Sequence, residues 1–557
     1  MTSPRTLRAR ADAAFAAGLA AADGPPALRP LADALRAARE GLARPLGIAL
    51  VGRVSSGKST LVNALLGEEI APTGITDLTF TVTRLTHGPE RTVTAHFLDG
   101  RPPVPFRPEE LAALAGAERT AGSAQPLLGI DHLAVTDPNP RLAAFDLIDT
   151  PGLDSVFEGD SAATLRLLGR TGAEVRDSSA AHAGRADALV VVTPWHGLAE
   201  NLRTLLADLR GAGFAEHGPI STVAALTKVE QLWPDHPDPL RRGAELAAGT
   251  MAVPGTDRVL HTVRPVAGLL ASGAAALTEE LMADLAALAP LTARPSGRPD
   301  QDVLTVRLRR GPQWEQDPAV DLPVPPDRRR TLSRLLTPYG VHLACRLLHE
   351  ERAADLPALR GLLLARSGIG GFTGLLEDHF GARADLVRLR GRLDHAYRVQ
   401  ARPAEPPSEP ERVRAEAALA PLLALDHDEG AFLELEVLRD HYRGLLALDA
   451  ELGGELPRVL GERGASAAER LGLPADADPA ERRTAAHEGR IRWAAAAADP
   501  AHGGRTRRAV AAVLRAYEDL AAAHTDGPDL LDESDLTDGP GLSGTAAVRV
   551  PAGEGAR

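Results

Sequence analysis

The sequence predicts an α/β domain built on a mostly parallel sheet with helices on both faces, continuous with a largely α-helical region. Three observations predict it. Between residues 44 and 290, short apolar runs of β-like composition alternate with segments of helical periodicity, a pattern that builds parallel sheets covered on both sides. A glycine-rich phosphate-binding loop lies between the first of those runs and a helix. Beyond residue 330 the pattern turns almost wholly helical.

Residues 1–43 read as N-terminal helices. Leu7, Ala11, Phe15 and Leu19 mark one face of the first. Leu28, Leu31, Leu35, Ala38 and Leu42 mark one face of the second, over 26–43. The basic, alanine-rich start has the outline of a signal peptide, but Asp12 interrupts it and alanine makes a weak apolar core. "PLGIALVG" (45–52) reads as a buried strand, and "KSTLVNALLG" (58–67) has helical spacing at Leu61, Ala64 and Leu65. "RTVTAHFLDGR" (91–101) is a strand running into a turn, an antiparallel addition to the sheet. "AFDLID" (144–149), "ADALVVVT" (186–193), "STVAALT" (221–227) and "RVLHTVRPVA" (258–267) supply further strands.

Residues 291–330, rich in Pro, Arg and Asp, read as a linker with one strand, "DVLTVRL" (302–308). Residues 331–400 and 401–525 are helical, divided by "ARPAEPPSEPER" (401–412). Leu435, Leu438, Tyr442 and Leu445 form one apolar stripe; Val510, Val513, Leu514, Tyr517 and Leu520 form another. The composition of the acidic, glycine-rich tail, 526–557, predicts disorder.

Composition narrows the function. The net charge of −13 argues against general adhesion to nucleic acid or anionic lipid, local basic patches aside. Cys345 is the one cysteine, so no internal disulfide forms and a cytoplasmic location is expected. Lying among Leu343, Ala344 and Leu347, it reads as a buried thiol rather than a nucleophile. No run of strongly apolar residues is long enough to predict a transmembrane helix. His182, His196, His342 and His349 lack metal-ligand spacing. "DRRRTLSRLL" (327–336) reads first as a solvated face and second as a contact for phospholipid headgroups.

The chain holds 62 lysines and arginines, and just two of these, Lys58 and Lys228, are lysine. Lys58 belongs to G-x-x-x-x-G-K-S, spelled by Gly52, Gly57, Lys58 and Ser59 with Arg53, Val54, Ser55 and Ser56 between and Thr60 following. Loop N–H groups and the helix N-terminus curl around an anion, and a compact ammonium reaches between the β- and γ-phosphates. Ser59 offers its hydroxyl to Mg²⁺. "DTPG" follows an apolar strand, where Asp149 can hold a Mg²⁺-bound water and the Gly152 N–H can meet the γ-phosphate. Five threonines, Thr73, Thr76, Thr79, Thr81 and Thr83, could on spacing alone supply a mobile switch hydroxyl.

The second lysine sits in "LTKVEQ" (226–231), which resembles the [N/T]-K-x-D base motif of GTPases. That resemblance implies that Thr227, Lys228 and Glu230 receive guanine, the lysine stem along the ring and the carboxylate accepting from the ring N–H and exocyclic amine. Glu230 departs from the pattern by one extra methylene. The competing reading is a capping box, Thr-x-x-Glu, at a helix start.

Together "VGRVSSGKSTLVNALLG", "PTGITDLTFTVTRLTHG", "DTPGL" and "LTKVEQ" resemble the bacterial dynamin-like GTPases, in the branch that includes the isoniazid-inducible proteins. "LTPYGVHLACRLL" (336–348) and the stretch 365–393 extend the similarity into that family's helical stalk. The resemblance covers residues 25 to 400; from 410 to 525 only helical character matches. It implies an α/β P-loop GTPase domain over 44–290 with a largely α-helical neck and stalk, residues 1–43 packing with the helical region. It makes Thr79 the switch threonine, with Leu78 replacing the usual threonine before it. Ala267 and Gly268 fall at the family's fifth nucleotide motif, unless they form a plain strand-to-helix junction.

Leu153 stands where small GTPases that orient water with glutamine carry it. The resemblance implies that GTPase domains meeting across the nucleotide make up for this. Ser55 is the loop residue placed to help, and Val54 stands where eukaryotic dynamins carry glutamine. Arg53 either neutralises charge or is solvated. The implied catalytic set is therefore Lys58, Ser55, Thr79 and Gly152, with Ser59, Thr79 and Asp149 on the metal. The function expected is Mg²⁺-dependent GTP hydrolysis coupled to self-association. Expected partners are GTP, a second copy, and a lipid membrane or a second dynamin-like protein at the inner face of the cell membrane, with no nucleic acid. The alternative is a nucleotide-gated scaffold with weak hydrolysis.

Overall fold

The computed structural model describes residues 4–42, 44–71, 81–111, 129–151, 186–196, 218–298, 301–316, 322–380, 384–401, 408–428, 430–442, 444–461 and 466–522. The acidic tail and His182 lie outside them.

Two helices, α1 (Pro4–Ala22) and α2 (Arg29–Gly41), precede a nine-stranded sheet. Its strands are β1 (Leu46–Gly52), β2 (Val82–His87), β3 (Thr92–Phe97), β4 (Val104–Phe106), β5 (Ile130–Asp137), β6 (Phe145–Asp149), β7 (Ala188–Pro194), β8 (Thr222–Thr227) and β9 (Val263–Pro265). They lie in the order β4-β3-β5-β2-β6-β1-β7-β8-β9. From β6 through β9 every pairing is parallel. β2 turns antiparallel to β6, and β3 is antiparallel to both β5 and β4, so the strand within residues 91–101 is an antiparallel addition one place in from the edge strand β4.

Every residue of β1, β7 and β8 is buried, as a strand covered on both faces requires. Alternate side chains feed two cores. Ala49, Val51 and Leu226 point into one with Leu270, Leu336 and Cys345; Ile48, Leu50 and Val223 point into the other with Leu61 and Phe372. The helices Pro326–His349 and Leu356–Ala365, grouped with the stalk in the sequence reading, thus share their core with the sheet. Burial pushes the Cys345 thiol well above its ordinary range, leaving it un-ionised. A third core joins Phe15 and Leu35 of the N-terminal helices to Leu389, Leu422, Leu438, Trp493 and Tyr517. There α1 packs on the helix Glu409–Asp428, and α2 on the helix Ala384–Ala401.

Three local expectations are corrected. Residues 302–308 are no strand: Val303–Leu308 is a helix capped by Asp302, which accepts the Thr305 N–H at 2.7 Å. Leu304 and Leu308 are buried one turn apart, so the cap overrides an apparent period of two. In the "DRRR" run, Arg328 pairs with Asp284 at 2.6 Å and with Glu280. Arg329 is 1% exposed, with its guanidinium 5.3 Å from the Trp314 ring centroid. Arg329 is packed inside and reaches neither solvent nor lipid, whereas Asp327, Arg330 and Arg334 of the same run stay exposed as a solvated face. Leu445 lies past the end of the helix Gly430–Tyr442 and is exposed, so the stripe stops at Tyr442.

Among the described residues, no helix is long and apolar enough to cross a membrane. Nor, among them, do three or more His, Cys, Asp or Glu side chains group as metal ligands.

Candidate functional site

The phosphate loop forms where β1 ends and α3 (Lys58–Leu66) begins. Gly52 is required there: a Cβ would sit 2.3 Å from the Val192 carbonyl oxygen of the neighbouring strand. Gly57 turns the chain into α3 with φ +97°, a left-handed value that favours glycine. Ser55 also has positive φ, at +58°, and projects outward beside exposed Arg53, while Val54 is half-buried. Lys58 is 7% exposed and lies across the loop, its Nζ donating to the carbonyls of Arg53 at 3.0 Å and Gly52 at 3.3 Å.

Parallel pairing of β6 with β1 sets Asp149 level with Leu50, just short of that loop. Ser59 Oγ donates to Asp149 Oδ2 at 2.7 Å. The carboxyl is 2% exposed and its Oδ1 has no partner. Burial pushes its pKa up, opposed by the Lys58 charge and the Ser59 hydroxyl. The hydroxyl of Thr83, opposite Asp149 in the antiparallel register of β2, is likewise buried without a partner. Mg²⁺ in nucleotide sites takes one or two protein oxygens besides phosphate and water. Ser59 Oγ and the buried, half-satisfied Asp149 carboxylate fit that donor set.

Of the five switch candidates, Thr81 and Thr83 are buried, Thr83 within a strand. Thr73, Thr76 and Thr79 lie outside the described residues, as do Leu78, Gly152 and Leu153. One residue missed in the sequence governs the entrance to that segment. Asn63 accepts the N–H groups of Ile70 and Ala71 at 2.9 and 2.8 Å and donates to the Ala71 carbonyl at 2.7 Å. An asparagine on the apolar face of α3, 2% exposed, was the available signal.

At the base motif, Thr227 does not act as a helix cap. Its hydroxyl donates to the Ser56 carbonyl at 2.6 Å and lies 3.2 Å from that of Thr193, which stitches β8 to the phosphate loop. Lys228 follows with φ +59°, and the chain then enters a 3₁₀ turn, Val229–Leu232. Glu230 is 3% exposed. Its Oε2 has no partner, and the residue's own backbone N–H favours the ionised form. Burial raises its pKa to about 7, against the opposing effects of that N–H and Lys228. Ala267 and Gly268 open the helix Gly268–Ala276 beside the first turn of α3; a Cβ on Gly268 would lie 3.3 Å from Thr60 Cγ2. Ala267 N–H donates to the Ser367 carbonyl at 2.8 Å.

The geometry thus brings Gly52 to Thr60, Asp149, Thr227 to Glu230, and Ala267 with Gly268 around one end of the sheet. Comparison with known proteins bears on the family. Residues 48–207 match the dynamin family. Isoniazid-induced protein IniC of Mycobacterium tuberculosis is 30% identical over 492 residues, spanning 86% of this chain and 91% of that protein. Dynamin-like protein 2 of Campylobacter jejuni is 35% identical over 124 residues, 22% of this chain and 19% of that one. An oligomerised bacterial dynamin pair, described as a mechanism for long-range sensing and tethering of membranes, aligns over 90% of this chain and 89% of that one. The alignment has 13% identity and a TM-score of 0.28, too low an agreement to build on. The extended match to the isoniazid-induced relatives settles the family: the chain belongs to the dynamin family and is a GTPase.

Proposed function

We propose that this GTPase is Mg²⁺-dependent and that its turnover is coupled to self-association through the GTPase domains. In this reading Lys58 leaves the two loop carbonyls for the β- and γ-phosphates, where its charge offsets charge that grows during hydrolysis. Ser59, Asp149 and Thr79 would hold Mg²⁺, which would neutralise phosphate oxygens when bound. The Gly152 N–H meets the γ-phosphate. Lys228 and Glu230 receive guanine with Thr227 as their anchor, and Ala267 with Gly268 borders the base.

The observation that carries the coupling is the outer rim of the phosphate loop. Arg53 and Ser55 stand exposed on a loop whose inner groups are buried, and a second domain facing the nucleotide would meet them first. Family membership supports a lipid membrane or a second dynamin-like protein as a further partner, at the inner face of the cell membrane.

The test is GTP turnover per molecule measured across a wide range of protein concentrations, with and without liposomes, with sedimentation of the same samples. Specific activity that rises with concentration and tracks a sedimenting dimer is expected. A flat specific activity with no dimer beside a transition-state mimic overturns the coupling and leaves the nucleotide-gated scaffold.

A further inference from the structure

Two buried oxygens without partners stand at opposed positions in the sheet. Thr83 of β2 and Asp149 of β6 are directly opposite in the antiparallel register, so their side chains leave the same face at neighbouring places. Two residues further along, Leu85 and Leu147 form the next such pair on that face, and both feed the core beneath α3. Thr83 is 1% exposed and Asp149 2%. From α3, Ser59 donates to Asp149 Oδ2 at 2.7 Å, whereas Asp149 Oδ1 and Thr83 Oγ1 have no hydrogen bond.

The fold gives no reason for a hydroxyl at this position. The residues beside it, Leu85 along the strand and Leu133 across on β5, are apolar. Valine has the same shape and suits a strand equally well, and it would bury no polar group. Among the described residues of the sheet, Thr193 and Thr222 also bury a hydroxyl without a partner. They lie opposite Leu226 and Leu189, which carry no polar side-chain atom. Of the three, Thr83 alone lies opposite a side chain with an orphaned oxygen of its own. A hydroxyl and a carboxylate oxygen so placed are satisfied together by one shared water.

On the reading of Asp149 as a Mg²⁺ ligand, we propose that Thr83 is a positioning residue for the metal. A water held between its hydroxyl and Asp149 Oδ1 fixes the carboxylate in the orientation that receives Mg²⁺. Ser59 restrains one carboxylate oxygen and Thr83 restrains the other, so the group is oriented from both sides. Partners of this kind set how tightly a site holds its metal, because a ligand already oriented loses little freedom on binding. Thr83 is suited to this because it is fixed within a strand, which equally unsuits it to be the mobile switch threonine.

The test follows release of a fluorescent GDP analogue from the full chain as free Mg²⁺ is varied. The Mg²⁺ concentration at half effect is read with no hydrolysis involved. Thr83→Val should raise that midpoint about ten- to a hundredfold while leaving the release rate in EDTA unchanged. Thr83→Ser, which keeps the hydroxyl, should stay at the wild-type midpoint. Thr83→Ala carries the same expectation should the valine variant fail to fold. An unmoved midpoint in the folded variant overturns the proposal, as does a serine variant that behaves like valine, or an EDTA release rate that changes along with the midpoint. Asp149→Ala, measured alongside, separates the two levels. A midpoint moved by Asp149→Ala but not by Thr83→Val removes the role of Thr83 alone, whereas a midpoint that neither variant moves removes Asp149 as a metal ligand too.

Discussion

In the proposed base site, the buried Glu230 carboxyl should make guanine recognition sensitive to pH in the physiological range. Its carboxyl is raised from 4.5 to about 7, chiefly by burial, so the neutral form is favoured while the site is empty. Guanine presents a ring N–H and an amine, which require an ionised acceptor, whereas adenine lacks that donor pair. With a pKa near 7, roughly a tenth of the carboxyl is ionised at pH 6 and roughly nine-tenths at pH 8. The ratio of GTP to ATP affinity should therefore rise about tenfold over that interval, about 1.4 kcal/mol. The assay is competition of each nucleotide against a fluorescent analogue, and taking the ratio cancels titration of the shared triphosphate. Folding stability runs in the opposite direction. An acid with a raised pKa contributes stability in full below about 4.5, and this is lost as pH rises to about 7, a span of about 3 kcal/mol. Glu230→Gln should therefore raise the melting temperature of the nucleotide-free protein at pH 8 while flattening the pH response and weakening GTP binding. A GTP-to-ATP ratio constant from pH 6 to 8 in the folded wild-type protein would refute the reasoning.

Lys58→Ala removes a charge-assisted contact worth about 1.5–3 kcal/mol, so affinity for a fluorescent GTP analogue should fall roughly ten- to a hundredfold; unchanged affinity in the folded variant would contradict its role. Thr79→Ala should abolish single-turnover hydrolysis while equilibrium GTP binding stays near wild type, and retained hydrolysis would return the switch role to Thr73 or Thr76. Phe15→Ala should cost about 3–5 kcal/mol in urea unfolding of the helical bundle, because Phe15 is fully buried between helices far apart in sequence.

Much of the site was legible because phosphate chemistry fixes residue types at fixed spacing. Gly52, Gly57, Lys58 and Ser59 announce a loop between a strand and a helix, and the structure forms it there. The central strands were legible for a simpler reason: covered on both faces, they read as unbroken apolar runs. What stayed hidden depended on partners remote in sequence. Nothing near Arg329 reveals that Trp314 lies beside it, and nothing near Thr227 reveals that its hydroxyl serves Ser56. At 302–308 the local signals competed, and Asp302 as a cap outweighed the alternation of valine and leucine. The unusual burial of Glu230 was beyond the sequence altogether, since it follows from how the 3₁₀ turn seats against the sheet.

The bundle is built from both ends of the chain, with the sheet inserted between them. The polypeptide crosses from α2 into β1 and crosses back near the helix Ala384–Ala401. Arg388 and Arg392 of that returning helix donate to the carbonyls of Leu42 and Gly41, both at 3.4 Å. A body tethered by a single thread can swivel about it, but two tethers joined side by side resist twisting and leave bending about one axis as the soft motion. The two crossings are joined by these guanidinium ties, so cutting either one removes a brace between the entering and returning segments.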